Sequence, residues 1–115
     1  MLPPTSRLRA KQEFVQVLER GTIVQTPLFG LAHLKQGDDV PRFGFIVSNK
    51  ISKKAHERNR AKRLLRETTR HVIEKIEKGT LCVLLAKRAL LHASYEEVGT
   101  QLNSALQRAG VLKEK

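Results

Sequence analysis

The chain has one cysteine, Cys82, and no tryptophan. A single thiol excludes an internal disulfide and any metal site built from several cysteines. Long apolar runs are missing too. The longest, such as residues 81–86, fall far short of the ~20 residues that span a bilayer. No basic start is followed by an apolar stretch, so a secretory signal is not expected. Internal repeats, low-complexity tracts and linkers rich in Pro, Gly or Ser are absent. So are a Gly-rich phosphate loop, a Walker pattern and any nucleophile–base constellation, which argues against a nuclease working by its own side chains. A cytoplasmic protein with no membrane partner and no obligate protein partner is the reading these absences leave.

What is present has the balance of a globular domain. The 115 residues are 40% hydrophobic and 29% charged, enough for one core in a single domain over 1–115. Residues 1–6, with Pro3 and Pro4, are expected to be extended, and 111–115 to form a flexible tail. Net charge is +11, and its location matters more than its size. Residues 1–49 carry 6 basic and 4 acidic side chains, and 71–115 carry 7 and 5. The 21 residues 50–70 carry 9 and 2, so +7 of the total sits there. A basic patch concentrated on a folded domain points to a polyanion, above all nucleic acid.

Apolar spacing predicts a helix over 9–20 with Gly21 as its stop. A weak strand follows over 22–26 and a better one over 28–34, ended by Gln36-Gly37-Asp38-Asp39. A third strand covers 42–48, and the polar turn suggests that it forms an antiparallel hairpin with the second. Ser52 is the expected N-cap of a long helix running to about residue 78, with Gly79 as terminator. Residues 80–87 read as a buried strand. Ser94 and Glu97 have capping-box spacing, and Tyr95, Val98, Leu102, Leu106 and Ala109 form one face of a last helix closed by Gly110. The expected fold is α+β, a single-domain sandwich in the order α-β-β-β-α-β-α with helices on one four-stranded sheet.

On the long helix, at about 100° per residue, Ala61, Leu64, Leu65, Thr68, Val72 and Ile76 share one arc. Arg58, Arg60, Lys62, Arg63, Arg66 and Arg70 fill most of the opposite half, with Asn59 near its middle. A solvated face normally mixes signs, whereas here only Glu57 and Glu67 offset the cations. Their mutual repulsion would be relieved by a polyanion, and Arg guanidinium suits bidentate phosphate contact.

The stretch Ala55-His56-Glu57-Arg58-Asn59-Arg60-Ala61-Lys62-Arg63-Leu64-Leu65-Arg66-Glu67 resembles the signature of the protein subunit of bacterial ribonuclease P, with its Arg-Asn-Arg core. The likeness extends to Met1-Leu2-Pro3 with Arg7-Leu8, to Phe14 and Gly21, and to Arg42-Phe43-Gly44-Phe45-Ile46-Val47-Ser48. It continues through Leu84-Leu85-Ala86-Lys87-Arg88 and Ser94-Tyr95-Glu96-Glu97. The resemblance implies a left-handed β-α-β crossover, against the usual rule. It implies a ribonucleoprotein that removes the 5′ leader of precursor tRNA. The RNA subunit would perform the hydrolysis with RNA-bound Mg2+, and the protein alone would be inactive and hold no metal. It further implies ribonuclease P RNA contacts at Arg58, Asn59, Arg60, Lys62, Arg63 and Arg66, with Lys50, Lys53 and Lys54 nearby. The leader cleft would take Phe14, Leu18, Ala32, Lys87 and Arg88. Leu18 and Ala32 stand where relatives carry aromatics, so base stacking there would be weaker.

Four histidines, at 33, 56, 71 and 92, lack metal-ligand spacing, and His33 and Cys82 fall on different strands. Glu57 and Glu67 lie about 15 Å apart on a helix, too far for paired acid–base work. Phe29, Phe43 and Phe45 alternate with small or polar residues as core side chains do. A ribosomal protein or RNA chaperone of similar fold is the alternative. A helix for acidic membranes fits less well, since the apolar arc is needed to cover the sheet.

Overall fold

A computed structural model of the chain describes residues 11–36 and 40–113. The elements run α1 (Lys11–Arg20), β1 (Thr22–Gln25), β2 (Phe29–Lys35), β3 (Arg42–Ile46), α2 (Ala55–Arg70), β4 (Thr80–Ala86) and α3 (Tyr95–Ala109). One-turn 3₁₀ segments, Ile73–Lys75 and Arg88–His92, flank β4. The expected start of the first helix at residues 9 and 10, and the extended residues 1–6, lie outside the described residues.

The sheet order is β1-β2-β4-β3, with β4 antiparallel to β2 and parallel to β3. The expected β2–β3 hairpin is therefore not formed, because β4 lies between its two strands. Thr80–Leu84 are all buried, and a strand buried on both faces gains most at the centre of a sheet, with a neighbour on each side. The connection from β2 to β3 steps over β4, about 10 Å at the usual strand spacing. The tight hairpin is instead β1–β2. Its turn is organised by the buried Thr26 hydroxyl, which donates to the Phe29 carbonyl oxygen (2.9 Å) and accepts from the backbone N–H groups of Leu28 and Phe29.

Strand alternation sorts the core onto the two faces of the sheet. Phe29, Leu31, Phe43, Cys82 and Leu84 meet Ala61 and Leu65 of α2 and Val98, Leu102 and Leu106 of α3 in one cluster. Ala32, Leu81 and Val83 meet Val17 of α1 in a smaller cluster, with Phe14 and Ile46 against it. Arg42, 5% exposed, also helps to hold α1, its guanidinium 3.9 Å from the Glu13 carboxylate. Gly21 has no room for a side chain: a Cβ there would collide with the backbone oxygens of Val17 and His33.

α2 is shorter than its apolar period suggests. Lys54, not Ser52, is the N-cap, and it makes no side-chain capping bond. At the other end the Thr68 and Thr69 hydroxyls donate back to carbonyls one turn earlier, a bonding pattern that weakens a helix. The β-branched Val72 and Ile73 follow. Ile76 is extended and fully buried, so it joins the core from beyond the helix. Ile76 bridges to Leu112, and Glu77 N–H donates to the Val111 carbonyl (2.9 Å). Residues 111–113 are consequently pinned to the fold, contrary to the expected flexible tail over 111–115; the last two lie outside the described residues. α3 matches its expected caps, with Ser94 and Glu97 exchanging both capping-box bonds and Gly110 left-handed at φ 72°.

Candidate nucleic-acid interface

α2 docks through Ala61, Leu65, Thr68 and Thr69, all buried. This leaves Asn59, Arg60, Arg63 and Arg70 exposed and Arg58, Lys62 and Arg66 half-buried along the other side. The arc that the sequence assigns to the sheet and the half it assigns to a polyanion are thus separated as expected. Leu64 is half-buried at the boundary.

The segment before α2 extends this surface. Lys50, Lys53 and Lys54 are exposed, and hydrogen bonds fix the backbone that carries them. Arg58 donates to the Ser52 carbonyl (2.9 Å), Arg88 to the Lys50 carbonyl (3.2 Å), and the backbone N–H groups of Lys50 and Lys54 to the Ser48 and Ser52 hydroxyls. The Ser52 hydroxyl donates to the Glu57 carboxylate. That bond holds the Glu57 carboxyl below the usual range, with help from Lys54. Asn49, Lys50, Lys53 and Arg58 together line a hollow of about 340 Å³. Cations on three of its four walls, an amide on the fourth and no carboxylate suit it to an anion such as a phosphate.

Arg60 is exposed yet engaged, donating to the Leu91 carbonyl oxygen in the 3₁₀ segment after β4 (3.2 Å). Glu67 pairs with Arg70 at 2.6 Å, and that hydrogen bond lowers its carboxyl pKa. Each acidic residue of the stretch thus remains ionised beside basic neighbours.

The residues expected to form a leader cleft are divided. Phe14 is half-buried and Leu18 37% exposed, both on α1. Ala32 is fully buried in the cluster beneath Val17, so it presents nothing to a ligand. The sequence could place Ala32 on the right strand but could not see that α1 closes over it. Lys87 is half-buried and donates to the Thr26 carbonyl (2.6 Å). Arg88 lies with the Lys50 segment instead. α1 and α2 pack on opposite faces of the sheet, which keeps Phe14 apart from the basic helix.

Among the described residues no three His, Cys, Asp or Glu side chains converge as a metal site. His33 and Cys82 are register partners across the β2–β4 ladder, a closer placement than their sequence positions suggest. Burial pushes the Cys82 thiol pKa far up and that of His33 down, so the pair is neutral packing. No described helix is long and apolar enough to cross a membrane.

One residue lining the hollow, Asn49, is not among the contacts expected from the sequence. Asn49 is a single amide at the end of a strand and gave no signal. Tyr95, expected on one face of α3 with Val98, Leu102 and Leu106, is 43% exposed.

Known proteins resemble this chain in sequence and in fold. A family model described as Ribonuclease P matches residues 2–110. The ribonuclease P protein component of Xanthomonas oryzae pv. oryzae is 33% identical over 110 residues, covering 96% of this chain and 74% of that protein. That of Pseudanabaena is 33% identical over 113 residues, covering 97% of both chains. Among solved structures, the RNase P protein of Thermotoga maritima superposes with a TM-score of 0.78 at 30% identity, over 89% of this chain and 96% of that one. The Staphylococcus aureus protein shares the fold, with a TM-score of 0.81 at 22% identity, over 94% and 98%.

Proposed function

The chain belongs to the ribonuclease P protein family, and on that premise we propose that it serves as the protein component of the ribonuclease P ribonucleoprotein in tRNA 5′ maturation. The carrying observation is the outward face of α2. Arg60, Arg63 and Arg70 stand exposed on a helix whose other side is fixed by the fully buried Ala61 and Leu65. Cations carried on a docked helix meet phosphates without the cost of ordering the backbone that bears them.

In this reading ribonuclease P RNA lies along Arg58, Asn59, Arg60, Lys62, Arg63 and Arg66 and over Lys50, Lys53 and Lys54. Precursor tRNA is the substrate, and its leader passes Phe14 and Leu18 on the opposite side of the sheet. Phosphodiester hydrolysis and the Mg2+ it uses belong to the RNA. The protein supplies positive charge and orientation, lowering the magnesium needed to bring two polyanions together.

Reconstitution tests this. The protein with a bacterial ribonuclease P RNA should cleave precursor tRNA at a magnesium concentration where the RNA alone is slow. The protein without RNA should not cleave. Cleavage by nuclease-treated protein would overturn the division of labour, and no stimulation of the RNA would overturn the component reading.

A further inference from the structure

A second hollow lies where α2 passes the start of α3. It is an open groove of about 760 Å³ lined by Arg60, Arg63, Leu64, Arg66, Glu67 and Tyr95. Tyr95 is its unusual member. The other large side chains of the α3 stripe, Val98, Leu102 and Leu106, are fully buried, whereas Tyr95 is 43% exposed. The ring is held in place all the same. Tyr95 is the first residue of α3, directly after the Ser94 capping box, and it packs perpendicular to His71 with centroids 6.1 Å apart.

The lining narrows the choice of occupant. The Tyr95 ring and Leu64 offer apolar surface, and three arginines surround it. Glu67, its carboxyl pKa lowered by the Arg70 hydrogen bond, stays ionised at neutral pH and repels a phosphate seated in the groove itself. A flat neutral ring with phosphates on either side satisfies both conditions: the ring covers Tyr95 while the phosphates reach the arginines. Arg60 is already fixed by its bond to Leu91, which makes that wall rigid.

We propose that this groove receives an unpaired nucleobase of ribonuclease P RNA, stacked on Tyr95. The inference rests on the reading above. It commits to the RNA subunit because the groove is continuous with Arg60, Arg63 and Arg66, while Phe14 lies on the other side of the sheet.

Binding of the full chain to a ribonuclease P RNA transcript, measured over a range of salt, tests it. Tyr95→Ala should weaken binding about fivefold or more while leaving the slope of log affinity against log salt unchanged. Tyr95→Phe keeps the ring and should retain affinity. Tyr95→Trp places the sole tryptophan of the chain in the groove. Its fluorescence should be quenched by the transcript and not by inorganic polyphosphate at equal phosphate concentration. Affinity of Tyr95→Ala within twofold of the parent overturns the proposal, as does equal quenching by polyphosphate. So does a loss seen with precursor tRNA and absent with the RNA subunit. A parent chain that does not bind the transcript at all removes the component reading and this inference with it.

Discussion

Arg60 donates to the carbonyl oxygen of Leu91 across 3.2 Å, joining the middle of α2 to the 3₁₀ segment that follows β4. A residue of the basic face therefore also braces the fold. Arg58 does the same for the segment before α2 through the Ser52 carbonyl, and Arg88 through that of Lys50. Cations that sequence treats as one set divide by what else they hold.

That division is measurable. Arg63→Ala should flatten the salt dependence of RNA binding by about 0.7 to 0.9 in log–log slope and leave thermal stability unchanged. Arg60→Ala should flatten it similarly and also lower the melting temperature by up to about 5 °C, the scale of one lost hydrogen bond. Indistinguishable melting curves for the two variants would show that the Leu91 bond has no part in stability.

Substitutions on the docked side of α2 should act through folding. Leu65 is fully buried, so Leu65→Ala should cost roughly 2 to 5 kcal/mol in urea unfolding. Leu64 is half-buried and should cost roughly 1 to 2 kcal/mol. Equal losses at the two positions would contradict the orientation of the helix.

On the α1 side, Phe14→Ala should weaken binding of precursor tRNA that carries a leader by about 1 kcal/mol, the low end for one stacked base. Affinity for mature tRNA should hold. Ala32→Tyr, attractive from sequence as a way of adding a ring to the cleft, should instead overpack the Val17 cluster and cost about 1 to 3 kcal/mol of stability. Tighter leader binding by a normally stable Ala32→Tyr protein would refute the buried placement.

His33 makes stability depend on pH. Its Nε2 is buried without a hydrogen-bond partner, and burial lowers its pKa. The unfolded chain therefore takes up a proton that the folded chain resists. Stability should be complete above the ordinary histidine value of about 6.5 and fall as pH drops below it. Glu57 and Glu67, also lowered, act in a separate window, below the ordinary glutamate value of about 4.3. Urea titrations between pH 7.5 and 5.5 should show the fall in the parent and a shallower one in His33→Gln. Parallel curves would assign the effect elsewhere.

Local signals in the sequence carried most of the elements. The capping box at Ser94, the stop at Gly110 and the two-sided pattern of α2 each depend on residues within a turn or two of one another, and each stands in the structure. The strand order did not follow, because the polar turn after Lys35 argues for a hairpin and only the burial of Thr80–Leu84 places β4 between β2 and β3. The end of α2 at Arg70 departs from the sequence pattern for a similar reason. Ile76 continues the helical period by number, but reaches the core as extended chain. For the interface, charge and spacing disclosed the cations. Which backbone carbonyls hold Arg58, Arg60 and Arg88, and that α1 covers Ala32, depend on contacts between distant segments that no local pattern encodes.

The central position of β4 also governs when the molecule can come into being. β3 has its ladder with β4, and β2 and β3 meet through no other strand. A nascent chain emerging from the ribosome can therefore pair β1 with β2 early. Arg42–Ile46 must wait until residues 80–86 have been made. The segment carrying +7 is synthesised before the sheet that will support its helix can close. Closure comes late, joins parts far apart in the chain, and is slow for that reason. Translation thus sets the order: a rigid basic face exists only once the chain has been delivered at least through residue 86.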